Sequence, residues 1–186
     1  MQDDTQAFYW YKKAAEQGKE WAQCEMADTF HAGSCGVAKS NAEAAQWYQK
    51  SANQGFRRAQ YNLGVHYKRG WGVAQNYSEA AQWFRKAADQ GLALAQSCLG
   101  WLYSEGLGIE ENDFEAARWY RQAAEQGLSS AQRNMGASFE QGLGVAQNDE
   151  EAVRWYRKAA GQGHAAAQQL LDDMCMQGRG MGKRNA

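Results

Sequence analysis

Between residues 59 and 91 the apolar positions fall into two blocks, each with helical spacing. In the first, Ala59, Leu63 and Tyr67 stand at i, i+4 and i+8 on one stripe, with Gly64 beside them. In the second, Ala80, Trp83, Phe84, Ala87 and Ala88 form a wide apolar face. Two short helices are predicted, a first-type helix led by Ala59 and a second-type helix led by Trp83. A glycine inside a helix costs stability, so Gly64 predicts the close approach of a neighbouring helix.

The same pattern recurs along the chain. Gly18, Gly55, Gly91, Gly127 and Gly163 are separated by 37, 36, 36 and 36 residues. Trp10, Trp47, Trp83, Trp119 and Trp155 repeat those spacings, which marks these tryptophans as structural. The one extra residue is expected in Gly33-Ser34-Cys35-Gly36, where later copies have only Gly-x-Gly. Seven residues before each tryptophan stands a capping residue: Asp3, Ser40, Asn76, Asn112 or Asn148. Three residues after each cap comes Gln6, Glu43, Glu79, Glu115 or Glu151, as in a capping box. Gly70, Gly106 and Gly142 suit left-handed helix ends. About ten helices are expected in a single repeat domain over residues 1–177. It opens with a half unit (3–18) and continues in full units near 19–55, 56–91, 92–127 and 128–163. A half unit (164–177) closes it, and 178–186 forms a flexible tail.

Composition narrows the chemistry. Proline is absent, and 8 Trp with 9 Tyr exclude a disordered chain. A formal net charge of −1 argues against nucleic acid as partner. No apolar run reaches membrane-spanning length, so no membrane insertion is expected. The polar first residues do not form a signal peptide. Met1 is either the natural start or a replacement for a removed leader, so the compartment is unknown: cytoplasmic, or periplasmic or secreted. Cys24, Cys35, Cys98 and Cys175 lack zinc-site or disulfide-framework spacing, and Cys24 and Cys35 are expected at opposite ends of one helix.

The string A-x-x-x-L-G-x-x-Y-x-x-G-x-G-V followed by A-x-x-W-x-x-x-A-A-x-x-G resembles the Sel-one-like repeat, a relative of the tetratricopeptide repeat. The likeness covers nearly the whole chain. Ala27 and Asp172 replace the helix glycine, and Asp172 suggests a last face that nothing covers. The resemblance implies an all-α, right-handed α/α superhelical solenoid of antiparallel helix pairs whose concave face is lined by first-type helices. It also implies an adaptor or scaffold role, often in bacterial proteins. Some relatives carry paired cysteines in each unit; this chain lacks them, so claims specific to that branch, such as penicillin binding, do not transfer.

By analogy with the tetratricopeptide groove, the inward positions are Trp21, Asp28 and His31, then Arg58, Tyr61, Val65, Lys68 and Arg69. They continue with Leu94, Trp101, Ser104 and Glu105, then Arg133, Ala137 and Glu140. Trp, Tyr and Arg are frequent interface anchors, so this face is expected to bind a protein or peptide. The alternative is that Trp21 and Trp101 pack between helices and the charges are merely solvated. Trp71 stands where other units have Leu107 or Leu143; it is either a loop contact for a partner or a side chain tucked against the helices.

Catalytic and cofactor chemistry is not expected. The Gly-x-Gly loops lack the preceding strand and third glycine of a dinucleotide site. His31, His66 and His164 are expected to lie far apart, giving no metal site. Glu110-Glu111 and Asp149-Glu150-Glu151 read as charges at helix starts. A narrower alternative is an inhibitor or immunity-type protein for a cognate toxin or enzyme. A remote one is a cell-wall or β-lactam hydrolase. A monomer is expected, with end-to-end association open because both ends are half units.

Overall fold

The computed structural model describes residues 2–180, with side chains from Gln6 onward. Ten helices and no strands occur among the described residues. The chain forms two compact units, one up to Leu92 and one from Ala93. Unit 1 holds α1 (Gln2–Glu16), α2 (Glu20–Ala32), α3 (Asn41–Asn53), α4 (Arg57–Arg69) and α5 (Tyr77–Asp89). Unit 2 holds α6 (Ala93–Glu105), α7 (Asp113–Glu125), α8 (Ser129–Gln141), α9 (Asp149–Ala160) and α10 (Ala165–Met176). Within each unit every helix packs on the next, the arrangement of an all-α solenoid of helix pairs.

The second-type helices start where the caps predict. Ser40, Asn76, Asn112 and Asn148 accept hydrogen bonds from the backbone N–H of Glu43, Glu79, Glu115 and Glu151, at 3.2, 3.1, 3.0 and 3.1 Å. Each such cap is worth about 1 kcal/mol. The reciprocal half of the box is not what Glu115 and Glu151 make: their carboxylates turn outward to Arg118 and Arg154. The Asp3 cap lies outside the described side chains.

Small residues let the helices meet. A Cβ on Gly64 would stand 2.7 Å from the Phe84 ring, and one on Gly136 would stand 2.5 Å from the Tyr156 ring. Trp83 packs with Ala59 and Leu63 in unit 1, and Trp155 with Ala131 and Met135 in unit 2. Each of these tryptophans thus rests on the first-type helix before it. Trp10 has no such helix before it among the described residues and is 63% exposed, so its expected structural burial fails.

A recurring polar clamp joins the layers. Gln23, Gln60 and Gln132 donate from Nε2 to the carbonyls of Ala15, Ala52 and Ala124 at 3.3, 3.2 and 3.2 Å. Their Oε1 atoms accept from Gln54, Gln90 and Gln162, the glutamines of the Gln-Gly turns, at 2.7, 2.8 and 2.7 Å. Buried amides need such partners, and these have them.

Two further expectations change. Cys35 is not at the end of the Cys24 helix; it lies in the loop beyond, with φ of 56° between Gly33 and Gly36. This left-handed turn lies in the loop that carries the extra residue. Residues 178–180 are not loose. Arg179 is bound by Asp149 and Glu140, and Gly178-Arg179-Gly180 is one more copy of the Gly-x-Gly loop. Residues 181–186 lie outside the described residues.

Candidate interaction site

In unit 1, α2 and α4 bring several expected residues together around Arg58. Its Nη2 donates to Glu25 Oε1 at 2.6 Å and to Asp28 Oδ2 at 2.5 Å, and its Nε to Cys24 Sγ at 3.3 Å. Asp28 also accepts from the Tyr48 hydroxyl and, at 3.3 Å, from Asn62 Nδ2. Arg58 and Asp28, expected as partner contacts, are thus engaged with each other. Burial pushes the Cys24 thiol up to about 12, so it is protonated at neutral pH and no nucleophile. Burial, together with donation to Asp28, likewise raises the Tyr48 hydroxyl.

The remaining unit 1 positions differ in exposure. Trp21 is exposed and meets Tyr11 edge-on at 6.2 Å. Tyr61 is half-buried with its ring 5.8 Å from Phe84. Val65 and Lys68 are half-buried, and Arg69 is exposed.

The histidines correct the sequence expectation. His31 and His66 are not far apart: their rings lie 5.2 Å from centre to centre. His31 Nδ1 pairs with Asn41 Oδ1 at 3.1 Å, and His66 Nδ1 with the Trp71 carbonyl at 2.7 Å. The Trp71 ring covers His31 at 5.1 Å and meets His66 at 5.8 Å. Trp71 thus packs on both histidines while remaining 37% exposed. Burial lowers the His66 pKa, the carbonyl bond opposing it. No group of three or more His, Cys, Asp or Glu suited to a metal occurs among the described residues.

In unit 2 the expected positions surround an opening. Trp101, Ser104, Glu105, Arg133 and Ala137 line a cavity of about 320 Å³, joined by Asp113 and Tyr120 from α7 and by Leu143 from the loop after α8. Trp101 is half-buried, packing on the core cluster of Tyr120 and Met135 while one side faces the cavity. Arg133 donates from Nη1 to Asn134 Oδ1 at 3.1 Å. The Tyr120 hydroxyl lies 3.3 Å from Ser104 Oγ, and burial pushes it up to about 12. Leu94 is exposed at the start of α6.

Glu140 is not available in the way expected. It accepts from Arg179 Nη1 at 2.9 Å and from the Tyr156 hydroxyl at 2.7 Å. Arg179 also grips Asp149 with two bonds, at 2.7 and 3.0 Å, which holds that carboxyl below the usual range. The repeated Gly-x-Gly spacing at 178–180 was the signal for this loop. The repeated Ala-Gln pairs, such as Ala59-Gln60 and Ala131-Gln132, were the signal for the glutamine clamps.

No helix among the described residues is long and apolar enough to cross a membrane. A comparison with curated proteins found no match. Among solved structures, the chain is similar to a protective antigen of uropathogenic Escherichia coli displaying an SLR fold, at 38% identity and a TM-score of 0.90. That match covers 93% of this chain but 37% of the antigen, so the chain spans little more than a third of its length. A Sel1 repeat protein from Oxalobacter formigenes is 40% identical with a TM-score of 0.83, over 89% of this chain and 68% of that one. An immunity protein from Pseudomonas aeruginosa shares the fold at 24% identity and a TM-score of 0.56, over 96% of this chain and 64% of its own. The Sel1 repeat model matches residues 1–19, 22–56, 57–92, 93–128 and 129–164, and the chain belongs to the Sel1 repeat family.

Proposed function

We propose that this protein is a non-catalytic interaction module that binds a protein or peptide on the face formed by its first-type helices. The observation that carries this is the unit 2 cavity, where a half-buried Trp101, Tyr120 and Arg133 line one opening. Aromatic and arginine side chains at a concave, partly dry site are the usual makings of a binding anchor. Sel1 repeats are in general protein-interaction modules, which supports the same reading.

The test is capture from a lysate of the source organism with wild type beside Trp101→Ala and Arg133→Ala, each checked by circular dichroism. A partner held by wild type and lost from both folded variants is expected. Unchanged capture puts the binding surface elsewhere. An inhibitor is a narrower form of the same binding: if the captured partner is an enzyme, an equimolar mix that abolishes its activity identifies one, and retained activity identifies an adaptor.

A further inference from the structure

The repeat places one three-residue station in several copies. Each takes a residue from a first-type helix, the first residue of the following helix, and the middle residue of the next Gly-x-Gly loop. In unit 1 the station is His31, Asn41 and Trp71. In unit 2 it occurs as Ser104, Asp113 and Leu143, and again as Glu140, Asp149 and Arg179.

Two of these three stations are filled from within. His31 bonds Asn41 and lies beneath the Trp71 ring. Arg179 reaches across to both Glu140 and Asp149. The middle station is different. Ser104 is short where Glu140 is long, and Leu143 stops short where Arg179 extends. The volume those two side chains leave is the unit 2 cavity. Asp113 stays on its wall, and no hydrogen bond or ion pair among the described residues engages its carboxylate. Glu105 adds a second carboxylate to the lining, and Trp101 borders it.

We propose that this cavity is a socket for an arginine side chain of the partner, which docks on Asp113 as Arg179 docks on Asp149 one repeat further on. This rests on the interaction-module reading and names the chemistry of its anchor. A guanidinium offers a planar fork for carboxylate oxygens and a flat, weakly hydrated face for a tryptophan ring. Lysine offers neither. Arg133 lines the same cavity but makes no ion pair with Asp113 or Glu105; its Nη1 donates to Asn134. A partner guanidinium bridging Asp113 and Glu105 satisfies both carboxylates beside Trp101.

The experiment is selection of random displayed peptides on the wild-type protein, followed by affinity measurement of the winners. Peptides with arginine at a fixed position are expected. Replacing that arginine by citrulline, and separately Asp113→Asn in the protein, each weakens binding by roughly tenfold or more, the usual effect of losing a charge-assisted hydrogen bond. Ser104→Glu/Leu143→Arg, which rebuilds the filled station, abolishes binding. Asp113→Asn keeps the test decisive if that double variant fails to fold. Arginine peptides that bind Asp113→Asn as tightly as wild type overturn the socket. So do enriched peptides without arginine; if those still depend on Trp101, the interaction-module reading survives while the socket falls. An absence of any enriched peptide overturns the socket as a peptide anchor.

Discussion

Units 1 and 2 are built from the same repeat, yet their first-type faces end in different states. In unit 1, Arg58 answers Glu25 and Asp28, Tyr48 closes on Asp28, and Trp71 seals the two histidines. In unit 2, Ser104, Asp113, Tyr120 and Leu143 stand where unit 1 has His31, Asn41, Tyr48 and Trp71, and a cavity remains. The backbone rules are shared; a few side-chain lengths decide whether a surface is finished by the chain or left for another molecule. This difference also separates two kinds of exposed charge. Arg58 looks like an interface anchor in the sequence but is engaged internally, whereas Asp113 looks like a helix-start charge and faces an opening.

The comparison holds only if the cores obey one rule, and that gives the largest expected effect. Gly64→Val in unit 1 and Gly136→Val in unit 2 each push a side chain into an aromatic ring, costing about 1–3 kcal/mol by overpacking. Urea unfolding of both variants measures this, and tolerance at one site alone breaks the equivalence. Next comes the glutamine clamp. Gln60→Ala and Gln132→Ala leave buried amide and carbonyl groups without partners, a loss of roughly 1–2 kcal/mol each in the same assay.

The third effect is confined to unit 1. His66 is buried and its pKa lies below the ordinary value of 6.5, so the unfolded chain binds the proton more readily. His66 therefore favours folding fully above about pH 6.5, and that advantage is lost as pH falls toward its depressed folded value. His66→Leu, which copies Leu102 at the equivalent place in unit 2, should flatten the loss of stability between pH 7 and 5. Denaturant midpoints at several pH values check it, and an unchanged slope assigns the dependence to other groups. The smallest effect is that of Arg58→Ala. Its ion pairs are half-exposed and screened, so less than about 1 kcal/mol is expected, with a weaker response still at high salt.

Much of the fold was legible because its signals are local and repeated. The caps at Ser40, Asn76, Asn112 and Asn148 depend on neighbours three residues on, and Gly64 announces a contact whatever its partner is. The analogy with the tetratricopeptide groove picked out Trp101, Arg133 and Glu105, which the structure brings to one cavity. What stayed hidden depends on contacts across repeats. His31 and His66 meet because their helices stack side by side, which sequence distance disguises. Arg179 sits in what reads as a polar tail; its bonds to Glu140 and Asp149 mark it as a loop residue, which the Gly-x-Gly spacing at 178–180 alone only hinted at. The cavity itself has no motif, since it arises from the shortness of Ser104 and Leu143 at two distant positions.

The glutamine clamp has a consequence for how such a chain can lengthen. Gln60 draws on a backbone carbonyl of the helix before it and receives its own repeat's Gln90. Gln132 does the same with Ala124 and Gln162. For this clamp each repeat brings its own donor and needs from its predecessor only a main-chain oxygen, which every sequence supplies. A duplicated or deleted repeat therefore finds a matching clamp on either side, so growth or shortening by whole modules leaves this joint intact.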